Sequence, residues 1–236
     1  MSLITNGLIN QLDASVLSLS GFSNNQTLLD TFIPDQIGSS TWYGSNGYSM
    51  YVAASASPTG NKSVIRLSSG NLTPSNFNDY LNYNAMTVLI AAKRTGASYS
   101  NTWQGLFSLP FYNTGSGVKG VSLFSITNDN NIGSFDNWGT YGGVITTAST
   151  SAMNLNTPYV VGMSVNSDTS GTFYTNTSAT GTFTNTKAQG YYGIGGLESA
   201  VGFFVGDIYE VLIYNRALIF SDVSASSNYL IDKWFA

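Results

Sequence analysis

Apolar residues recur with a period of two along most of this chain, and the period lengthens to that of a helix near the C-terminus. From Gly206 to Tyr214 (GDIYEVLIY) both sides of the two-residue period are apolar. Tyr209, Val211 and Ile213 face one way and Ile208, Leu212 and Tyr214 the other, which predicts a strand covered on both faces. Asn215 and Arg216 end it. Ser221 then stands where an N-cap would accept from the first free amides, and Val223, Ser227, Leu230 and Trp234 form one stripe of a short closing helix. Upstream, Met86, Val88, Ile90 and Ala92 alternate with Thr87, Leu89 and Ala91, and Tyr159, Val161, Met163 and Val165 repeat the pattern beyond Pro158; both segments predict core strands. Residues Asn166 to Gly171 read as a hairpin connection, with Thr172 to Asn176 returning. Val121, Leu123 and Ser125 alternate with Ser122, Phe124 and Ile126 before a polar loop from Asn128 to Gly133, while Ser39 to Gly47 and Ala53 to Ser63 read as long loops. Short strands divided by turn clusters predict a mainly antiparallel sandwich or barrel.

The run GDIYEVLIYNRAL, Gly206 to Leu218, resembles the C-terminal signature of the concanavalin A-like lectin/glucanase superfamily, in particular its laminin-G-like jelly rolls. Further segments fall in the order that resemblance requires: GLINQLDAS (Gly7 to Ser15), MTVLIAAKR (Met86 to Arg94), PYVVGMSVNSDTSGTFYTN (Pro158 to Asn176) and YYGIGG (Tyr191 to Gly196). The resemblance implies an all-β fold, an antiparallel β-sandwich of concanavalin A-like jelly-roll type with a short C-terminal helix. It also implies one domain over residues 1–236, since no repeat, heptad or linker interrupts the 236 residues. It specifies a fold better than an activity, because this scaffold hosts lectins, hydrolases, adhesins and structural modules.

Composition narrows the partners. Charged residues make up 8% of the chain and aromatics 14%, so solubility rests on hydroxyls and amides, as in proteins exposed outside cells or on virions. The formal charge is −4, and the eight Lys and Arg are scattered, leaving no basic stripe for phosphates; nucleic acid is not an expected partner. No apolar run is long enough for a membrane span, so no membrane insertion is expected, and MSLITNGLINQLDAS lacks the basic and apolar regions of a cleavable signal. Zero cysteines exclude disulfides and thiol chemistry and argue against manufacture in an oxidising compartment. The N-x-Ser/Thr triplets at Asn25, Asn61, Asn71 and Asn176 are expected by chance in so Asn- and Thr-rich a sequence.

Without histidine or cysteine, a hydrolase here would depend on carboxylates. The glucanases of the superfamily place three acids on one strand face, with key carboxyls roughly 5 Å apart for a retaining reaction. This chain has two glutamates, Glu198 and Glu210, and neither begins such a triplet. Asp207 and Glu210 fall on opposite faces of a regular strand and could cooperate only across a bulge. Glu210 is expected to be structural, accepting from backbone amides or pairing with Arg216. No catalytic residue and no cofactor is therefore expected. Calcium is the one ion the loops suggest, through Asp129, Asn131 and Asp136.

A sugar site needs an aromatic ring against the apolar face of the sugar, with amides or carboxylates for its hydroxyls. Asp136, Asn137, Trp138 and Tyr141 carry that mixture on a predicted loop from Ser134 to Gly143. Trp103 with Tyr99 and Gln104, and Trp42 with Tyr43 and Tyr48, are second candidates. Each ring has a plainer alternative, as filling for the sandwich or for a contact with another subunit; Trp234, ending the helix stripe, is expected in the core. Domains resembling this one occur on phage capsids and tails. The resulting expectation is a non-enzymatic virion protein of a bacteriophage, assembled in the host cytoplasm and exposed on the particle as a decoration, tail or adhesin component. Its partners would be other virion proteins, copies of itself and a cell-surface glycan. The alternative is a free bacterial carbohydrate-binding lectin module.

Overall fold

The computed structural model describes residues 3–20, 28, 32–38, 41–45, 49–53, 62–68, 70, 71–75, 83–96, 103–113, 118–126, 132–136, 144–147, 153–168, 170–183, 193–194 and 202–236. Its strands are β1 Leu8–Asp13, β2 Phe32–Pro34, β3 Thr41–Ser45, β4 Ser49–Val52, β5 Val64–Leu67, β6 Asn71–Pro74, β7 Met86–Arg94, β8 Trp103–Asn113 and β9 Val118–Ile126. They continue with β10 Ile132–Asp136, β11 Val144–Thr147, β12 Pro158–Val165, β13 Gly171–Thr175, β14 Ser178–Phe183, β15 Gly193–Ile194, β16 Gly202–Phe203 and β17 Gly206–Tyr214, after which helix α1 spans Phe220–Trp234.

The strands form two sheets. In the first the order is β14-β13-β12-β7-β17-β5-β4, with β1 also on β17; in the second it is β11-β10-β9-β8-β15-β6-β3-β2, with β16 also on β8. Every described pairing is antiparallel except β16 with β8. The fold is thus an antiparallel β-sandwich of jelly-roll kind with one C-terminal helix, as the resemblance implied where the alternating pattern alone left sandwich or barrel open. All nine residues of β7 and all nine of β17 are buried, which explains why both read as apolar on either face. A single apolar core runs from Leu8 to Trp234 and takes in Trp42, Leu72, Phe107 and Ile194 of the second sheet.

Three local expectations give way to the structure. Ser39 to Gly47 is not one loop: Thr41–Ser45 is β3, zipped between β2 and β6. The polar loop after β9 ends earlier than its composition suggests, because Ile132 already pairs with Ser125. Helix α1 starts at Phe220, one residue before the expected cap. Its N-cap is Ile219, which makes no side-chain capping bond; the Ile219 carbonyl accepts from the amides of Asp222 and Val223 instead. Asp222 in the first turn supplies the negative charge that the helix N-terminus favours, and Arg216 holds it at 2.9 Å.

The face that α1 covers is set by a bulge. Pairing of β17 with β7 slips between Ile208 and Glu210, so Tyr209 no longer shares a face with Val211 and Ile213. The Tyr209 ring lies 5.5 Å from both Trp234 and Phe235, Glu210 accepts from the Trp234 indole, and the Tyr214 hydroxyl meets Ser226 at 3.0 Å. Tyr209, Glu210 and Tyr214 therefore all meet the C-terminal segment. On α1 the buried residues are Val223, Ser226, Ser227, Leu230 and Trp234, the expected stripe with one addition. Each large apolar side chain sealed this way contributes about 1.5–3 kcal/mol.

Candidate functional site

The densest polar constellation among the described residues sits where α1 meets β1 and β17. Glu210 is fully buried at the bulge. Its Oε1 accepts from Gln11 Nε2 at 2.6 Å, and its Oε2 accepts from Trp234 Nε1 at 2.8 Å and from Lys233 Nζ at 2.6 Å. Lys233 Nζ also donates to Asp13 Oδ2 at 2.5 Å and to the Tyr229 hydroxyl at 3.2 Å. The second oxygen of Asp13, Oδ1, accepts from the Ser15 amide at 2.9 Å and from the Ser15 hydroxyl at 2.6 Å. β1 and β17 bring Asp13 and Glu210 side by side as a register pair, and the last turn of α1 lays Lys233 over both.

Electrostatics follow from that packing. Burial, reinforced by the Asp13 charge, pushes the Glu210 carboxyl above its usual range, against the pull of Lys233 and the Trp234 hydrogen bond. Burial alone would lower Lys233, but the Glu210 charge and the hydrogen bonds to Asp13 and Glu210 together carry it well above the usual lysine range. The expected partner of Glu210, Arg216, is engaged elsewhere, with Asp222 and the Asn6 carbonyl, because the strand turns away before Arg216 can reach back. The structural role expected for Glu210 stands, with Lys233 in place of Arg216.

A second carboxylate, Asp207, is also fully buried. Its register partners on the flanking strands are Arg66 and Lys93. Arg66 donates through Nε at 2.7 Å and Nη2 at 3.2 Å, and Lys93 Nζ lies 3.1 Å away. The Asp207 hydrogen bond holds the Arg66 guanidinium above its usual range, and burial raises the neighbouring Tyr209 hydroxyl well above the usual tyrosine value. The bulge does bring Asp207 and Glu210 to one side of β17, the exception that a regular strand forbids, but each is already occupied by cations from different elements. They form no open acid/base pair.

A further carboxylate, Asp35, ties the two sheets together. Its Oδ1 accepts from the amides of Gln11, Ile37 and Gly38 at 3.1, 2.9 and 2.8 Å. Its Oδ2 accepts from Asn10 Nδ2 at 2.5 Å and Trp42 Nε1 at 3.4 Å. Trp42 is thereby fixed in the core, 0% exposed. A ring so enclosed cannot stack on a sugar, which removes Trp42 from the second aromatic group.

The remaining sugar candidates are set apart by the second sheet. Trp103 opens β8 opposite Ile126, near the start of β10 at Ile132, whose partner is Ser125. Asp136 closes β10 opposite Val144, four residues further on, about 13 Å along an extended strand. Trp103 and Asp136 are thus about 13 Å apart along the strand direction and two strands apart across the sheet. The predicted loop from Ser134 to Gly143 is in its first part strand, since Ser134 to Asp136 pair with β11. Tyr99, Asn137, Trp138, Tyr141, Tyr48, Glu198 and the calcium candidates Asp129 and Asn131 lie outside the described residues; Asp136, the third calcium candidate, is separated from the start of β10 by the same strand length. Among the described residues no group of three or more acidic side chains could hold a metal ion, and no helix is long and apolar enough to cross a membrane. Of the glycosylation triplets, Asn71 is buried, and Asn176 occupies a left-handed turn with its Oδ1 accepting from the Val160 amide.

Sequence reasoning missed Asp13, Gln11, Lys233, Asp35, Arg66 and Lys93. β1 did carry a signal: Asn10, Gln11 and Asp13 are three polar side chains in a six-residue strand, and those that are buried must find hydrogen-bond partners inside the fold.

No protein-family model and no curated protein sequence matches this chain. Solved structures do. A mutant of Trypanosoma rangeli sialidase displaying trans-sialidase activity is similar over 99% of this chain and 34% of its own, with a TM-score of 0.63 and 15% identity; this chain spans about a third of that enzyme's length. Domain 4 of AbnA, a GH43 extracellular arabinanase from Geobacillus stearothermophilus, in complex with arabinotriose, is similar over 93% of this chain and 98% of its own, with a TM-score of 0.52 and 15% identity. The CBM40 of the Ruminococcus gnavus IT-sialidase, bound to alpha2,3 sialyllactose, is similar over 70% of this chain and 95% of its own, with a TM-score of 0.50 and 16% identity. At these identities the likeness is one of fold.

Proposed function

We propose that this chain is a non-catalytic carbohydrate-binding β-sandwich, one domain over residues 1–236, carried on the surface of a bacteriophage particle. The observation that carries the binding half is the fold shared with two sugar-binding domains over nearly their whole lengths, arabinanase domain 4 with arabinotriose and the sialidase CBM40 with sialyllactose. The non-catalytic half is supported by the occupation of Asp207, Glu210 and Asp13 by lysine and arginine. A buried carboxylate enclosed by lysine and arginine has no face open to a sugar. Exposure on a virion is supported by the Cys-free, weakly charged composition. Other virion proteins and copies of this chain are its protein partners in that setting, and its ligand is a host glycan.

Asp136, which closes β10, is the proposed contact together with Asn137, Trp138 and Tyr141, with Trp103 and Tyr99 as a separate candidate. Trp138→Ala tests this. The variant is expected to fold normally by circular dichroism and to lose glycan binding; an unfolded variant would assign Trp138 to the core, and full retention of binding would move the site to Trp103.

A second reading has its own support. The near-complete coverage of two modules that are parts of glycoside hydrolases fits a bacterial binding module working beside an enzyme. Virion structural genes flanking the coding sequence favour the first reading, and glycosidase genes the second.

A further inference from the structure

The Asp13, Lys233 and Glu210 constellation contains every group needed to make a covalent bond between the two ends of the fold. Lys233 Nζ, an amine once deprotonated, touches the Asp13 carboxyl at 2.5 Å. Glu210 Oε2 is 2.6 Å from the same nitrogen, within proton-transfer reach. Asp13 Oδ1 faces two donors, the Ser15 amide and hydroxyl, which are placed to hold negative charge developing on that oxygen. Gln11 and Trp234 fix the Glu210 carboxyl, and the Tyr229 hydroxyl fixes the lysine nitrogen. The Glu210 side chain is 0% exposed, that of Asp13 9% and that of Lys233 21%, so competing water is scarce.

From this geometry we propose that Lys233 and Asp13 join in a self-catalysed isopeptide bond, with Glu210 as the proton carrier. The Lys233 ammonium passes one proton, by way of Glu210, to Asp13 Oδ2, and the freed amine attacks the carbonyl carbon of the resulting carboxylic acid. The tetrahedral intermediate places its charge on Oδ1, against Ser15. Oδ2 departs as water, taking the two protons the nitrogen has given up, one or both by way of Glu210. Ammonium plus carboxylate becomes amide plus one water; no oxidant, cofactor or activating group is consumed, and Glu210 ends as it began. Burial that holds Glu210 above its usual range favours its acting as an acid in the second half. The bond would close a span of 220 residues and staple the closing helix to the first strand in a chain with no cysteine to do so. This inference is independent of the glycan reading.

Intact-mass measurement of the purified, denatured full chain tests it. The wild type is expected to be one water lighter than its sequence mass, and a protease digest should contain a branched peptide joining the Asp13 and Lys233 segments. Lys233→Arg, which keeps the positive charge, and Glu210→Gln, which keeps the shape of the proton carrier without its proton, are each expected at full sequence mass while folded by circular dichroism. A folded wild type at full sequence mass would overturn the proposal, as would a lost water that persists in Lys233→Arg, which would locate the dehydration elsewhere.

Discussion

Trp234→Ala strikes the point at which helix, strand and buried carboxylate meet. The side chain is 2% exposed, packs 5.5 Å from the Tyr209 ring, and donates to Glu210 at 2.8 Å. Truncating a buried tryptophan to alanine costs about 3–5 kcal/mol, because the cavity closes only in part. Removing a donor from a buried carboxylate costs about 1.5–3 kcal/mol more. The two contributions overlap at one residue, so a total of about 4–6 kcal/mol is expected, against a stability of about 5–15 kcal/mol for a folded domain. Trp234→Phe separates them: it retains most of the ring and loses the N–H, and is expected to cost about 1.5–3 kcal/mol. Urea titration followed by far-ultraviolet circular dichroism measures both, with equal denaturant slopes as the check that the same surface unfolds. A Trp234→Ala variant within about 1 kcal/mol of the wild type would refute the claim that α1 seals the sandwich.

Other consequences are as direct. Glu210 is raised above its unfolded value of 4.5, mainly by burial, so the folded state holds its proton more tightly than the unfolded chain. The stability this group contributes is complete below pH 4.5 and is lost as pH rises through the folded value; the difference in urea midpoint between wild type and Glu210→Gln should fall over that window, and a rise would contradict the sign. Asp207→Asn leaves Arg66 and Lys93 facing a neutral amide; because the Arg66 side chain is 36% exposed and can rehydrate, a loss of about 2–3 kcal/mol is expected by urea titration, below the full cost of breaking a buried pair, and no loss would show that the pair is not formed. Gly162→Ala places a Cβ 2.2 Å from the Val88 carbonyl oxygen and 2.7 Å from a Leu89 methyl, and should cost about 1–3 kcal/mol or more through displacement of β12 from β7, read as a lower thermal midpoint.

The architecture was legible because its signals are local and periodic. β7, β12 and β17 announce themselves by apolar residues on both sides of the two-residue period, and the stripe ending in Trp234 has nowhere to lie except on a sheet. Faces were harder to read, since one slipped residue between Ile208 and Glu210 moves Tyr209 to the other side, and nothing in GDIYEV marks the bulge. The polar interior was the least legible part. Lys233 and Asp13 are 220 residues apart, and Arg66 and Asp207 are 141 apart; only the strand order makes them neighbours. Trp42 illustrates the same limit in reverse, since an aromatic beside tyrosines and glycines looks like a loop platform until β2, β3 and β6 enclose it. The aromatic and amide mixture around Trp138 is a statement of composition, and composition alone does not bring side chains to a common point.

Incubation of the purified protein with an array of sialylated, arabinose-containing and neutral oligosaccharides, with the eluted sugars then analysed for new reducing ends, tests the central claim most directly. The account predicts saturable retention of a subset of glycans, recovered chemically unchanged. Cleaved glycans, or no retention of any sugar by the folded protein, would contradict it.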